Sequence, residues 1–533
     1  MQKLLLLGDE ALAQGALDAG LSGVYAYPGT PSTEITEYIQ GSKKAAEENI
    51  HSEWCVNEKT AIEAAIGMSY TGKRALVCMK HVGMNVAADG FMNGAIVGAN
   101  GGLVIVSADD PSMHSSQNEQ DSRFYGEFAY IPTFEPSNQQ ECYDMVRYAF
   151  DMSEEYHIPV LIRLTTRLSH SRSGVELRGV RKQNDVHIPE NLRQFVLLPA
   201  IAKKNYVTLL EKQSAFVERG EKDGWNRYFD ADNKKYGIIT SGIGYNYLME
   251  NYPDRNVPYP VLKISQYPLP VNMMTKIADE CDELIVIEEG YPMIEQKLKG
   301  VVPTGLKVHG RLDGTLPRVG ELNPNLVGQA LKFEQQSYYD VPDVVKPRPP
   351  KLCKGCPHQS TFLALNEALK DYSQGRVFGD IGCYTLGALP PFSSINSCVD
   401  MGASITMAKG AADAGYTPTV AVIGDSTFTH SGMTGLLDAV IAKSPITVFI
   451  LDNLTTAMTG GQDSAAYTRI ENICKGIGVE ENHIRVITPL PQQHDKNVEI
   501  IKEEIHYEGV SVIIPRRECL QTINKHKKNQ TKK

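Results

Sequence analysis

Short apolar runs alternate with stretches of helical periodicity along most of this 533-residue chain. That alternation predicts the repeated strand-helix-strand units of doubly wound parallel sheets. The runs Val24 to Tyr27, Arg74 to Met79, Leu103 to Val106 and Val160 to Arg163 read as strands covered on both faces. Between them, Asn57 to Thr71 and Asn85 to Ala99 read as helices. The N-terminal run Leu4 to Leu7 is too short for a signal peptide and reads as a first buried strand. From Gly174 to Gln213 the period weakens and charge rises, as in a connecting segment. A second α/β unit follows, with strands at Gly237 to Thr240 and Leu284 to Ile287. Its Gly242-Ile243-Gly244 reads as a structural turn, since a lone glycine pair is a weak nucleotide signature. The proline-rich stretch Val341 to Pro350 lacks donors and is stiff, which suits a linker. A third unit then carries strands at Thr419 to Ile423 and Ile446 to Leu451.

The fold class is therefore α/β, with three doubly wound parallel-sheet domains, and a chain of this length suggests roughly three domains of about 150 to 180 residues. The expected boundaries are 1–180, 200–335, a linker at 336–351, 352–520, and a basic tail at 521–533.

Hydrophobic residues at 42% and charged residues at 22% describe an ordinary soluble protein. No apolar stretch approaches the roughly 20 residues that span a bilayer, so no membrane partner is expected. A net charge of −10 argues against nucleic acid, because phosphate binding needs a concentrated basic face. The one dense basic run, Lys525 to Lys528 with Lys532 and Lys533, reads as a solvated, disordered end. Ten cysteines without a secretion signal point to reduced thiols and a cytoplasmic location, where clustered cysteines mean metal or catalysis more often than disulfides.

The chemistry concentrates at strand ends. Gly424-Asp425-Ser426 follows one buried strand and Asp452-Asn453 follows the next, with Asp425 and Asn453 28 positions apart. Parallel pairing would put both at the carboxyl edge of the sheet, where ligands bind in open α/β folds. Their oxygens are hard ligands suited to Mg²⁺ bridging a diphosphate, with the carbonyl of Thr455 completing the protein's share. The arrangement resembles the thiamine diphosphate motif, Gly-Asp-Gly followed by Asn-Asn, with Ser426 in place of the last glycine and Asp452 in place of the first asparagine. Thiamine chemistry needs a carboxylate against the pyrimidine ring. Glu58, in the first turn of a helix that Asn57 can cap, is the candidate; a favourable helix-dipole charge is the plain alternative. In Tyr27-Pro28-Gly29-Thr30-Pro31-Ser32, Thr30 stands between two prolines at a strand end and is the candidate for holding a substrate carboxylate.

These strings, with Asp109 to Asp121, Asp380 to Gly387 and Gly424 to His430, resemble the α subunits of indolepyruvate:ferredoxin oxidoreductases, within the 2-oxoacid:ferredoxin oxidoreductases. The resemblance implies domains of the thiamine diphosphate superfamily type: a pyrimidine-binding domain, a transketolase-C-like middle domain and a diphosphate-binding domain. It also implies oxidative decarboxylation of an arylpyruvate, such as indolepyruvate or phenylpyruvate, with coenzyme A, yielding an aryl-acetyl-CoA, carbon dioxide and reduced ferredoxin. A smaller β subunit would complete the enzyme. His430, shortly after the metal aspartate, is a candidate proton donor, although a packed loop histidine fits equally; His114 and Asn118 would line the arylpyruvate pocket, although their spacing also suits a surface turn.

Related enzymes hold a proximal [4Fe-4S] cluster with a Cys-x-x-Cys before the first strand of the diphosphate domain, a cysteine about 30 residues later and one near the domain's end. Cys353, Cys356, Cys383 and Cys519 match those places. Cys398 and Cys474 are reserve ligands, zinc at Cys353 and Cys356 is the lesser metal, and packed thiols are the plain alternative. Family members commonly end in a ferredoxin-like domain, whereas no such cysteine run follows Cys519 here. The expectation is a distal relay on another polypeptide, or a ferredoxin docking directly. The competing functions are a non-reductive thiamine-dependent decarboxylase or carboligase, and a non-catalytic cofactor-binding subunit.

Overall fold

The computed structural model describes residues 3–298, 300–303, 305–333, 342–346 and 350–523. Most of the expected linker at 336–351, and the basic tail from 524 onward, lie outside the described residues. The chain divides into two compact units, Met1–Tyr339 and Asp340–Lys533.

The first unit contains two large sheets. One has seven strands in the order Gln266–Tyr267, Thr133–Phe134, Val160–Thr165, Leu103–Asp109, Ala75–Lys80, Gly23–Ala26 and His51–Trp54. All neighbours run parallel except at the first edge, where Gln266–Tyr267 is antiparallel to Thr133–Phe134. Every residue of the central strands is buried, as parallel strands sandwiched between helices require. The helices Glu58–Tyr70 and His81–Val97 pack together between these strands. The second sheet orders its strands Lys307–His309, Glu283–Ile287, Tyr236–Ser241, Val261–Ile264 and Arg227–Phe229, parallel but for the last.

The N-terminal run departs from expectation. Lys3–Leu7 is a strand, but it pairs antiparallel with Arg172–Glu176 in a separate two-stranded ribbon. One face of such a ribbon meets solvent, so Leu6 is buried while Leu5 is 68% exposed.

The two sheets of the first unit share a buried ionic core. Arg163, fully buried, donates from Nε to Asp109 at 2.6 Å, from Nη1 to Glu135 at 2.5 Å and from Nη2 to the Glu289 carbonyl at 3.0 Å. Arg123 donates to Asp121 and, at 2.9 Å, to Glu288; Arg311 donates to Glu289 at 2.9 Å. Glu288 and Glu289 stand directly after the strand Glu283–Ile287 of the second sheet, whereas Asp109 and Arg163 belong to strands of the first. The carboxylates outnumber the guanidiniums, and burial pushes Glu289 up to about 7 despite the Arg311 charge beside it.

The second unit is a six-stranded, wholly parallel sheet in the order Ser397–Cys398, Val377–Gly379, Thr419–Gly424, Ile446–Leu451, Val510–Pro515 and Ile484–Ile487. Among the described residues no helix is long and apolar enough to cross a membrane.

Removing one partner from a buried ion network leaves uncompensated charge and costs about 3–5 kcal/mol. Arg163→Met should lower the unfolding free energy of the first unit by that amount, read by urea denaturation followed by circular dichroism. A change below about 1 kcal/mol, the usual size for an exposed ion pair, would contradict the buried network.

Candidate functional site

The diphosphate loop of the second unit is built by strand register. Gly424 pairs with Leu451, so the next residues, Asp425 and Asp452, leave the sheet side by side. Gly424 carries no side chain because Tyr384 occupies that space: a Cβ there would lie 2.8 Å from the tyrosine Cε1. The Tyr384 hydroxyl donates to Asp380, whose other oxygen accepts from the Gly402 N–H at 3.1 Å and the Ser404 hydroxyl at 2.7 Å.

Asp425 opens a helical segment and is 3% exposed. One of its oxygens accepts from the Ser426 N–H at 2.7 Å, while Oδ2 is buried without a partner in good geometry, the Ser464 hydroxyl and the Leu454 N–H lying near the carboxylate. Burial, reinforced by the charge of Asp452, pushes this carboxyl up to about 7. A divalent cation at Oδ2 would reverse that penalty. Asn453 and Thr455 are buried beside it; the Asn453 side-chain oxygen accepts from the Thr455 N–H at 3.3 Å across Leu454, held at φ 63°. Thr455–Thr456 then pairs antiparallel with Gln462–Asp463.

Both departures from the usual motif have local causes. Ser426 accepts at 3.0 Å from the hydroxyl of Thr456, tying the first loop to this hairpin. Asp452 accepts from Arg516 Nε at 2.5 Å, and Arg516 also grips Glu471 with both terminal nitrogens. An asparagine at 452 would leave that guanidinium partly unpaired.

The four expected cysteines line a single cavity of about 150 Å³, whose wall also includes Asn453 and His358. Burial, and then the neighbouring thiols, push Cys383 up to about 12; burial and Cys353 and Cys519 among its neighbours push Cys356 up to about 11. Such thiols stay protonated unless a cation takes the proton's place. Cys353 and Cys356 sit on one turn, with the Cys356 N–H donating to the Cys353 carbonyl at 3.0 Å. Cys383 begins a 3₁₀ turn, and the Cys519 N–H donates to the Asn453 carbonyl at 3.1 Å.

The reserve ligands are elsewhere. Cys398 lies outside the cavity, 3.7 Å from the Asp380 carbonyl, and Cys474 is fully buried in an apolar core. Tetrahedral zinc at about 2.3 Å from sulfur would draw its ligands to about 4 Å from one another. Among the described residues the trio of ligating atoms mutually within 4.8 Å is Asp9, Glu34 and His170, and the cysteines form no such trio. Their wider spacing suits a multi-iron cluster, in which each thiolate binds a different iron.

In the first unit, Asn57 caps the helix Glu58–Tyr70 by accepting from the Thr60 N–H at 2.9 Å. Glu58, in the first turn, is 5% exposed and lies against the first turn of the helix His81–Val97, where Gly83 makes room: a Cβ there would be 2.5 Å from Glu58 Oε1. Thr30 is half-buried in its loop, which Ser32 tightens by donating to the Gly29 carbonyl at 2.8 Å. Lys80 lies under the same loop, where a Cβ on Gly29 would come to 3.2 Å from the Lys80 Cβ, and it donates to the Ser115 carbonyl at 2.7 Å. Burial pulls its ammonium down to about 8. Sequence reasoning passed over this residue, although a cation ending a fully buried strand was a readable signal.

His114 and Asn118 are exposed. His114 Nε2 lies 3.3 Å from Glu321, which Arg167 also binds, and the Asn118 carbonyl faces His81 Nε2 at 3.1 Å. In the second unit His430 is 4% exposed on a π-turn, with Nδ1 against the Ser431 hydroxyl.

A family model described as pyruvate flavodoxin/ferredoxin oxidoreductase, thiamine diphosphate-binding, matches residues 14–194; a second, the C-terminal binding domain of thiamine pyrophosphate enzymes, matches 380–514. Indolepyruvate oxidoreductase subunit IorA of Archaeoglobus fulgidus is 38% identical over 547 residues, 97% of this chain and 86% of its own length. The chain belongs to the IorA family. The IorA of Methanothermobacter thermautotrophicus is 37% identical over 97% of this chain and 87% of its own length. A solved 2-oxoglutarate:ferredoxin oxidoreductase from Magnetococcus marinus shares the fold, with a TM-score of 0.51 at 13% identity over 62% of this chain and 65% of that one. This IorA-family chain is thus a subunit of a thiamine diphosphate-dependent oxidoreductase, as the resemblance drawn from its motifs implied.

Gly83→Ala should displace the Glu58 carboxylate without unfolding the helix. Misplacing a group that acts on the reacting atoms by about 1 Å costs roughly 100-fold, so the substitution tests whether Glu58 is such a group. The expected result is a loss of that order in 2-oxoacid-dependent dye reduction by the assembled enzyme, with an unchanged circular dichroism spectrum.

Proposed function

We propose that this chain is the α subunit of an enzyme that oxidatively decarboxylates arylpyruvates with coenzyme A, giving an aryl-acetyl-CoA and carbon dioxide, and passes the electrons to ferredoxin. The relatives named indolepyruvate oxidoreductase support the aryl substrate. The observation that carries the electron-transfer half is the shared wall: Asn453 of the diphosphate loop lines the same cavity as the four cysteines and accepts a hydrogen bond from the backbone of Cys519. A donor and a relay built on adjacent backbone favour redox chemistry over the non-reductive decarboxylase reading.

In this reading Asp425, Asn453 and the Thr455 carbonyl hold Mg²⁺ against the diphosphate, and Gly424 and Ser426 shape the loop around it. The unpartnered Asp425 oxygen fits that role. Bound thiamine diphosphate supplies the nucleophilic carbon and the electron sink. Glu58 holds a proton at the pyrimidine ring. Thr30 orients the substrate carboxylate, and His430 holds a proton near the Asp425 loop. Cys353, Cys356, Cys383 and Cys519 bind one [4Fe-4S] cluster. His114 and Asn118 lie on an exposed loop, so their contribution to an aryl pocket would depend on a covering surface, which a smaller β subunit would provide. A cytoplasmic location accords with the reduced thiols and the oxygen-sensitive chemistry.

Anaerobic reconstitution with iron and sulfide should give about four irons per chain. Cys383→Ser and Cys519→Ser should lose them, and Cys398→Ser and Cys474→Ser should keep them. Full iron content in Cys383→Ser would overturn the ligand set. With the partner subunit present, Glu58→Gln should abolish turnover, and kcat/KM should favour indolepyruvate or phenylpyruvate over pyruvate; preference for pyruvate would reject the aryl assignment.

A further inference from the structure

Three polar side chains meet in the first unit away from every residue assigned above. Asp9 is the second residue of the helix Gly8–Asp18, Glu34 the second of Thr33–Gln40, and His170 the last of Thr166–His170. One ligating atom from each lies within 4.8 Å of the others, with Glu34 Oε1 at 3.5 Å from His170 Nε2. Asp9 is 0% exposed, and neither of its carboxylate oxygens has a partner in good hydrogen-bonding geometry, although the Ser169 hydroxyl lies close enough to favour its charged form. Glu34 Oε2 is likewise buried without a partner, and the Ser169 hydroxyl, itself outside good hydrogen-bonding geometry, faces Asp9. Native proteins rarely leave several buried polar atoms unsatisfied at one point, because each costs about 1–3 kcal/mol. Among the described residues no lysine or arginine pairs with these carboxylates, and the cationic group beside them is His170 itself. The other charged groups facing them, Glu10 and Asp110, are acidic, and Arg172 pairs with Glu10 at 3.6 Å.

We propose that Asp9, Glu34 and His170 bind one divalent first-row transition ion. Two carboxylate oxygens and an imidazole nitrogen suit the Mn²⁺ to Zn²⁺ series, whereas Ca²⁺ takes six to eight oxygens. Ser169 offers a further oxygen or holds a bound water. His170 and Glu34 are each about one-third exposed at the side chain and provide the route of entry. The ion joins three helices, and Glu34 stands two residues beyond Ser32. It therefore fixes the Tyr27–Ser32 loop from behind. The site is independent of the thiamine and cysteine readings.

The test is a Co²⁺ titration of the chelator-treated full chain, saturated with Mg²⁺ and thiamine diphosphate. Cobalt on oxygen and nitrogen gives weak visible bands without the intense charge transfer of a thiolate, which separates this site from the cysteines. One equivalent should bind, Mn²⁺ should compete, and Glu34→Gln and His170→Ala should each weaken Co²⁺ by about 100-fold, the upper end of the range for lost metal-site partners. Asp9→Asn risks misfolding, so the decision rests on the two partly exposed positions, with circular dichroism verifying their fold. Mn²⁺ should also raise the Tm of wild type and leave that of both variants unmoved. Absence of a nitrogen- and oxygen-ligated band in wild type, or its persistence in His170→Ala, overturns the proposal.

Discussion

The ladder between Ile446–Leu451 and Val510–Pro515 continues past the last strand residues, and the second unit's chemistry depends on that continuation. The Asp452 N–H donates to the Pro515 carbonyl at 3.1 Å, the Arg517 N–H to the Asp452 carbonyl at 3.0 Å, and the Cys519 N–H to the Asn453 carbonyl at 3.1 Å. The Asp452–Arg516 ion pair clamps the same two segments through their side chains. Two loops that would otherwise leave the sheet independently are thus held in register for several more residues. Asn453 and Cys519 inherit their proximity from backbone pairing, which is stiffer than any side-chain contact between loops. In the function proposed above that stiffness would keep a thiamine donor and a cysteine-bound relay at a fixed separation.

The first unit is held by a different device. Its two sheets could have packed as separate domains with apolar faces, and their strand patterns read that way. Instead Gln266–Tyr267 adds an edge to the seven-stranded sheet, and the arginines Arg123 and Arg163 reach carboxylates or carbonyls that follow the strand Glu283–Ile287. Hydrophobic periodicity cannot reveal this. Arg163 interrupts an apolar run by one residue, and Asp109, Asp121, Glu135, Glu288 and Glu289 read as polar strand ends or loops. Only the three-dimensional arrangement shows that they meet one another rather than water.

The candidate site was readable where strand ends fix position. Asp425 and Asn453 follow two adjacent buried strands, so alternation and spacing alone put them on one edge. The Asn57 cap likewise located Glu58, since capping chemistry is local. The cysteine set follows from the family resemblance, and long-range closure separates Cys519 from Cys398, because the extended ladder carries Cys519 to the cavity while Cys398 lies outside it. Lys80 escaped because a lysine after a strand usually reaches solvent, and here the loop from Asp110 to Ser116 folds over it. Ser426 and Asp452 looked like weakened motif positions; their partners, Thr456 and Arg516, show that each substitution was compensated nearby.

Buried carboxylates in this chain sort by what neutralises them. Those of the ionic core have guanidiniums, Asp452 has Arg516, and Asp380 has a tyrosine and a helix N-terminus. Asp9 and Asp425 stand apart from these: each is nearly or wholly buried, has an oxygen outside good hydrogen-bonding geometry, and is pushed well above the carboxylate range by burial. An ionised carboxylate in that position loses several kcal/mol of hydration. Among the described residues neither one is paired with a lysine or arginine, although other buried carboxylates are, and beside Asp9 the one titratable base is His170. Charge left unanswered in a chain that answers it elsewhere marks where a cation from solution belongs. For Asp425 the family supplies a thiamine diphosphate-binding domain, and the function proposed above answers its charge with Mg²⁺. For Asp9 the imidazole of His170 changes the donor set, so the two positions select different ions by the same electrostatic argument.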